Sequence, residues 1–261
     1  MEVFVLASGS KGNITYVKNE VVSFFIDAGI SYKKIVEKMT DYGESMHHIE
    51  TLFLTHEHSD HVLGLLGMLK AGHIKQVFLT QGTLNGLNQN VKDLLPKTII
   101  IEPDKPFNFK SFKVYPVLLS HDANEPVGFR FDWQDKSFVL LTDTGYVDQT
   151  YHEVLKDADL YLVESNHDPK RLLKSRRPFA LKQRILGVQG HLSNEEAAIL
   201  MNKLIQNKQA TWIVGHISEE CNDNFDIEKS IIDHFDDVLK AKVIYASQDA
   251  LPGIKIWKLQ S

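Results

Sequence analysis

Residues 55–61 read Thr-His-Glu-His-Ser-Asp-His, so His56, His58, Asp60 and His61 fall within six positions, directly after the apolar run Thr51–Thr55. Imidazole nitrogens and carboxylate oxygens are the donors that a borderline divalent ion such as zinc takes. In extended chain alternate side chains share a face, so His56 and His58 can turn toward one ion. Asp60 and His61, two residues on in a turning segment, can aim at a second. Three more donors each close an apolar run: His121 after Val-Leu-Leu-Ser, Asp143 after Val-Leu-Leu-Thr and His216 after Trp-Ile-Val-Gly. Strand ends on one sheet edge converge, and two ions need about this many ligands. Such a set points to a site for two divalent ions. His47, His48, His73, His152 and His234 fall in helical or turn segments without such partners and read as structural.

These donors need strands to hold them. Glu2–Ala7, Ile14–Lys18 and Val21–Ile26 are rich in Val, Ile and Phe and predict strands, with Ser8–Asn13 as the first turn. Ser31–Met39 predicts a helix capped by Ser31, and Val62–Leu69 another after the strand Thr51–Thr55. A helix over Leu84–Leu95 is expected between strands Val77–Leu79 and Thr98–Ile101. Phe107–Phe109, Phe112–Leu118, Val127–Asp132 and Ser137–Leu141 extend the β content. Helix and strand then alternate through Asp148–Lys156, Leu160–Val163, Asn194–Gln206, Trp212–Val214 and Ile227–Leu239. Val243–Ala246 and Ile254–Leu259 are expected as closing strands. Hairpin-rich sheet mixed with helices, twice over, predicts two packed sheets with helices outside. No repeat, low-complexity tract or linker breaks residues 1–261, which read as a single domain.

The 261 residues are 43% hydrophobic and 24% charged, the make-up of a soluble globular protein. Apolar runs such as Val21–Ile26 fall far short of the roughly 18–20 residues that span a bilayer. No secretory leader is visible, and the lone Cys221 cannot close a disulfide within the chain. A cytoplasmic protein without a membrane role is expected. Net charge is −5, yet residues 169–187 carry seven Lys or Arg and no acid. A concentrated basic stretch on an acidic body suits local capture of a polyanion. A solvated helix face is the plainer reading, and charge alone leaves both open. Pro178 splits the stretch, predicting a turn before it and a short amphipathic helix after it.

The pattern His56-x-His58-x-Asp60-His61, followed by a lone His, a lone Asp and a final His at strand ends, resembles the metallo-β-lactamase superfamily. Asp27 in Phe-Phe-Ile-Asp-Ala-Gly matches the aspartate that ends an early strand in that fold. The resemblance implies an α/β protein, an αβ/βα four-layer sandwich with two divalent ions, Zn2+ or Mn2+, at one edge. His56, His58 and His121 would hold the first ion, Asp60, His61 and His216 the second, and Asp143 would bridge them. Finer motifs are Ser-Gly-Ser-Lys-Gly-Asn at 8–13, Glu-Ser-Asn-His-Asp at 164–168, Gly-His-Leu-Ser-Asn at 190–194 and Gly-His-Ile-Ser-Glu-Glu-Cys-Asn at 215–222. Together they resemble the YycJ/WalJ-type proteins, regarded as 5′-to-3′ double-stranded DNA exonucleases of replication and repair. Cys221 departs from that pattern, where Asn is expected.

That resemblance makes nucleic acid the expected partner, DNA ahead of RNA, and a phosphodiester the bond cleaved. Ions bridged by Asp143 would turn a shared water into hydroxide to attack phosphorus, with Asp60 orienting it. His191 is the candidate proton donor to the leaving oxygen. Ser10, Asn13, Asn166, Ser193 and Asn194, in or beside Gly-rich turns, suit phosphate oxygens. Lys170, Arg171, Arg176 and Arg177 would follow the nucleic-acid backbone. Ser193 or Asn194 can equally cap a helix, and His167 can simply brace its loop. A glyoxalase II-like thioester hydrolase shares the ligand set but has no use for the basic stretch. A catalytically inactive protein that binds DNA or a partner through the same residues is the other alternative.

Overall fold

A computed structural model describes residues 1–248 and the backbone of residues 256–258. The chain is divided into two compact units. The first comprises Met1–Pro116, Ala123–Val127 and the described part of Ser247–Ser261, and the second Val117–Asp122 and Gly128–Ala246. Among the described residues no helix is long and apolar enough to cross a membrane.

The sheet of the first unit contains β1 (Glu2–Ala7), β2 (Ile14–Lys18), β3 (Ser23–Ile26), β4 (Thr51–Phe53), β5 (Gln76–Leu79) and β6 (Lys97–Ile100), side by side in that order. The backbone of Ile256–Lys258 pairs antiparallel with β1 at its edge. The rest of the expected strand Ile254–Leu259 lies outside the described residues. Strands β1 to β3 form an antiparallel meander, whereas β3 to β6 run parallel. The side chains of β4 are all buried, as befits a parallel strand covered on both faces. Strands β7 (Phe107–Phe109) and β8 (Phe112–Leu118) form a hairpin.

Helix α1 (Tyr32–Asp41) begins at the expected cap, Ser31, whose hydroxyl accepts from the Lys34 N–H at 3.4 Å. It buries Ile35 and Met39, one turn apart on a single face. The helix expected over Val62–Leu69 is two: α2 (Ser59–Val62) and α3 (Leu65–Lys70). Between them the Gly64 N–H leaves helical pairing and donates to the Ala28 carbonyl at 2.7 Å. The helix expected over Leu84–Leu95 is likewise split into α4 (Gln81–Gly86) and α5 (Gln89–Lys92). Leu87 and Asn88 adopt extended backbone there, and Leu87 is buried in the core.

The second unit carries all but the first residue of β9 (Val127–Trp133), then β10 (Lys136–Leu141), β11 (Leu160–Glu164), β12 (Ala210–Gly215) and β13 (Ala241–Tyr245), again side by side. Strands β9 and β10 form a hairpin, and β10 to β13 are parallel. Its helices are α6 (His152–Leu155), α7 (Pro169–Lys174), α8 (Phe179–Leu186), α9 (Asn194–Leu204) and α10 (Asn224–His234). Trp212, Tyr161, Met201 and Leu204 are fully buried in the core between sheet and helices. Pro178 stands where a turn gives way to a helix, as expected. The helix expected over Ile227–Leu239 starts earlier, because the Asp223 carboxylate caps it by accepting from the Asp226 N–H. The α/β character and the two sheets follow the expectation.

Register explains how the donors come together within each unit. Ile26 of β3 lies opposite Phe53 of β4, so Asp27 and the segment leading to Thr55 and His56 leave neighbouring strands at the same end. In the second unit Leu141, Val163 and Val214 share one row of the parallel ladder. Asp143, Glu164 and His216 therefore emerge along one carboxyl edge, where open α/β sheets hold ligands. Asp27, Asp143 and His216 all have left-handed backbone, with φ of 61°, 60° and 47°. Such conformations are uncommon outside glycine and collect where function demands them.

Gly29 seals the first of these turns. A Cβ placed there would lie 1.7 Å from the Asp60 carbonyl oxygen and 2.4 Å from the Asn13 nitrogen, both backbone atoms. Neither can yield as a flexible side chain would. The substitution Gly29→Ala is expected to cost about 3 kcal/mol of folding stability, the upper end for overpacking. Urea unfolding monitored by tryptophan fluorescence checks this, and an unchanged midpoint would contradict it.

Candidate functional site

In the first unit everything hangs on Asp27. Its carboxylate accepts from the Thr55 N–H at 2.8 Å and from the Thr55 hydroxyl at 2.8 Å. Nδ1 of His61 lies 2.8 Å from the same carboxylate. A carboxylate in that position accepts, so His61 carries its proton on Nδ1 and keeps the lone pair on Nε2. The Thr55 hydroxyl has spent its one hydrogen on Asp27 and can only accept from Nδ1 of His56, at 3.1 Å. His56 is thereby fixed in the same tautomer, and its Nε2 sits 3.2 Å from Nδ1 of His58. Asn13 donates to Nε2 of His61 at 3.0 Å and lies 3.5 Å from the Asp60 carboxylate. The Asn13 N–H also donates to the Asp60 carbonyl at 2.7 Å, fixing the first turn against α2.

In the second unit the corresponding anchor is Glu164, a carboxylate with no solvent exposure. One oxygen accepts from the Thr144 N–H at 2.7 Å, next to Asp143 in the chain. The other lies 3.0 Å from Nδ1 of His191 and 3.6 Å from Nδ1 of His216. The two rings stack with centroids 5.0 Å apart and planes 13° from parallel. Asn166 donates to the His216 carbonyl at 2.8 Å, its amide nitrogen 3.0 Å from that residue's Nδ1. Nδ1 of His121 donates to the Gly190 carbonyl at 3.1 Å, which leaves the lone pair on Nε2. Oδ1 of Asp143 lies 3.3 Å from Nε2 of His216 and 3.9 Å from Nε2 of His121. Burial holds the His121 imidazole below the usual histidine range, against the opposing pull of Asp143. Neutral imidazoles with fixed Nε2 lone pairs beside carboxylates are the form in which a divalent cation is bound.

Glu164 has no role in the sequence reading. Its signal was nonetheless present, because it closes the apolar run Leu-Tyr-Leu-Val just as Asp143 closes its own.

The remaining expected residues fall in varied settings. Ser10 is exposed, while Asn13, Asn166, Ser193 and Asn194 are buried. Ser193 caps α9 in a capping box with Glu196, the plainer of its two readings. Asn194 accepts from the Ser165 hydroxyl at 2.7 Å and exchanges hydrogen bonds with Asn222. In the basic stretch Arg171 is paired with Asp223 and Asp226, and Arg177 with Glu220 at 3.0 Å. Arg184 is paired with Asp122. Lys170 and Arg176 are exposed, and no ion pair or side-chain hydrogen bond engages them among the described residues.

Residues 23–217 match the family model of the beta-lactamase superfamily domain, and the chain belongs to that superfamily. Its fold is similar to that of the metallo-β-lactamase fold protein YhfI from Bacillus subtilis, with a TM-score of 0.73 at 16% identity over 98% of each chain. Among curated proteins the chain is similar to exodeoxyribonuclease WalJ of Streptococcus pneumoniae, 37% identical over 84% of this chain and 82% of that protein. It is also 33% identical to exodeoxyribonuclease YycJ of Bacillus anthracis, over 84% of this chain and 83% of that one.

His167 does not brace its loop through its ring. It is 1% exposed, and among the described residues neither ring nitrogen has a hydrogen-bond partner. Burial pushes its pKa down to about 4 from the usual 6.5, helped by the nearby His191. The imidazole is thus neutral in the folded chain at pH 5, whereas the unfolded chain has already protonated it. Between these two pKa values the unfolded state binds more protons, so stability falls as pH drops from 7 toward 4. The contribution is about 2 kcal/mol between pH 7 and pH 5. Replacing His167 by Leu is expected to flatten the pH dependence by that amount in urea titrations. Parallel curves for the two proteins would refute it.

Proposed function

We propose that this chain is a metal-dependent phosphodiesterase that shortens double-stranded DNA from its 5′ end, acting inside the cell in replication or repair. The observation that carries the reading is the paired set of buried imidazoles with fixed tautomers and carboxylates at strand ends, in a chain whose relatives are named exodeoxyribonucleases. The family match runs through both units, which supports treating residues 1–261 as one working domain.

His56, His58, His121, Asp60, His61, Asp143 and His216 are the ligands in this reading, with Zn2+ or Mn2+ as the ions. The donor chemistry fits, since both metals accept imidazole and carboxylate. Bound there, a pair of divalent ions supplies a nucleophile at neutral pH and offsets charge developing at phosphorus. The chain's own part is preorganisation. Asp27 and Thr55 hold the rings of His56 and His61, and Gly190 that of His121, before any substrate arrives. Asp60 is the residue assigned to orient the attacking group. His191, 16% exposed at its side chain and bonded through Nδ1 to Glu164, holds a proton on Nε2 when charged and passes it to the leaving oxygen. Ser10, Asn13, Asn166, Ser193 and Asn194 line the assigned phosphate-contacting turns, and Lys170, Arg171, Arg176 and Arg177 belong to the strand-tracking surface. A thioester substrate would leave that basic surface without a purpose, so the glyoxalase-like alternative is set aside.

An end-labelled DNA duplex tests the reading. Stepwise loss of nucleotides from the 5′ end is expected with added Mn2+ and not after chelation. Asp60→Ala is expected to slow it at least about 100-fold, and His191→Ala about 100- to 10,000-fold. A substrate whose leaving oxygen is replaced by sulfur needs no proton donor. It should restore most of the rate to His191→Ala and none to Asp60→Ala. Metal-loaded protein that leaves the duplex intact would sink the proposal.

A further inference from the structure

The turn that carries Asp143 runs on into Thr144, Gly145 and Tyr146, and it is tightly held. The Thr144 hydroxyl donates to the Tyr146 carbonyl at 2.6 Å and accepts from the Ser120 N–H at 3.2 Å. The Gly145 N–H donates to the Ser120 carbonyl at 2.9 Å. A Cβ on Gly145 would come within 2.5 Å of the Gly187 carbonyl oxygen, so only glycine permits this close approach. The turns bearing Asp143 and His121 are thus fastened together, and Tyr146 stands on rigid backbone with 46% of its surface exposed. A large aromatic fixed in this way loses little conformational freedom when a ligand settles on it.

Tyr146 borders a cleft of about 420 Å³. Its floor is Leu119 and His121, both buried, and Leu118 and Tyr151 form part of its wall. Asp148 and Gln189 sit among the exposed residues at its mouth. The volume is that of a small-molecule site, for which roughly 300–1,000 Å³ is usual. None of the described lining residues is Lys or Arg, and hydrogen bonds from Thr150 keep the Asp148 carboxyl below the usual range. An anionic, cation-free cleft does not select a phosphate. Apolar walls, an aromatic face and a carboxylate at the opening suit a flat uncharged ring that bears an amino group. Asp148 spends one oxygen on the Thr150 N–H and hydroxyl, and among the described residues the other meets only the Tyr146 hydroxyl, at 3.3 Å, which leaves acceptor capacity for that amino group.

We propose that this cleft receives the base of the nucleotide adjoining the scissile phosphate, stacked on Tyr146 with its amino group toward Asp148. The inference rests on the DNA reading above and adds the group that seats the substrate. His121, assigned as a metal ligand, lines the same cleft, so a base seated there lies beside one of the assigned metal donors. Stacking accepts any base, and the Asp148 contact adds a preference for the amino-bearing bases A, C and G over T.

The test is binding of 2-aminopurine deoxyribonucleoside 5′-monophosphate to the full chain, read by the loss of its fluorescence on stacking. Saturable quenching is expected. Tyr146→Ala should weaken it about tenfold to a hundredfold, and Tyr146→Phe should hold it within about twofold. The nucleotide dAMP should displace the probe, and deoxyribose 5-phosphate, lacking a base, should not. No saturable quenching, equal affinity in Tyr146→Ala, or equal displacement by the sugar phosphate overturns the proposal. Because no turnover is read, the two readings separate. Tyr146-dependent binding in a protein that leaves duplex DNA intact supports the base site and overturns the exonuclease reading alone.

Discussion

Asp27 and Glu164 place carboxylates where water scarcely reaches, at 2% and 0% exposure. A charge so buried must be met by donors on every side, or its desolvation would cost several kcal/mol. Each unit is arranged around that demand. Asp27 draws in the Thr55 backbone, the Thr55 hydroxyl and His61, which fixes the chain between β4 and α2. Glu164 draws in the Thr144 N–H, His191 and the Leu192 N–H, which fixes the loop after β10 and the one before α9. His61 and His191 take their orientation from these anions directly, and His56 through Thr55. In that sense the donor array is the by-product of satisfying two buried negative charges.

The basic stretch shows the same accounting at the surface. Seven cations in 19 residues suggest a strongly positive face. Arg171, Arg177 and Arg184 are each matched by acids elsewhere in the second unit, so the exposed cations of the stretch without such partners among the described residues reduce to Lys170, Lys174 and Arg176. The paired arginines fasten the α7–α8 region to the start of α10 and to Asp122. Attraction for a polyanion rests on fewer charges than the count implies, and salt would screen them readily.

What could be read in the sequence was whatever is encoded locally. Apolar runs of four or five residues marked the strands, and a polar residue closing such a run marked His121, Asp143 and His216. Ser31 and Pro178 gave their helix starts away. What could not be read depends on contacts distant in sequence. Nothing near Gly64 says that its N–H will turn to Ala28, so one continuous helix was expected where two occur. The partners of Arg171 lie more than 50 positions on, and no charge count finds them. Glu164 went unassigned because its value comes from His191, 27 residues later. His167 reads as a brace in the sequence, and only the structure shows that its ring, among the described residues, has nothing to bond.

The left-handed backbone at Asp27, Asp143 and His216 has an evolutionary corollary. Each position is filtered twice, once for a side chain with the right donor atoms and once for a residue that tolerates positive φ. Glycine passes the second filter and fails the first, while glutamate and cysteine satisfy the first more readily than the second. Aspartate, asparagine and histidine are the side chains that most often meet both. The alphabet available at these three places is therefore about three letters long. Lineages that abandon the chemistry should drift there toward glycine or asparagine, leaving the surrounding strands legible long after the activity has gone.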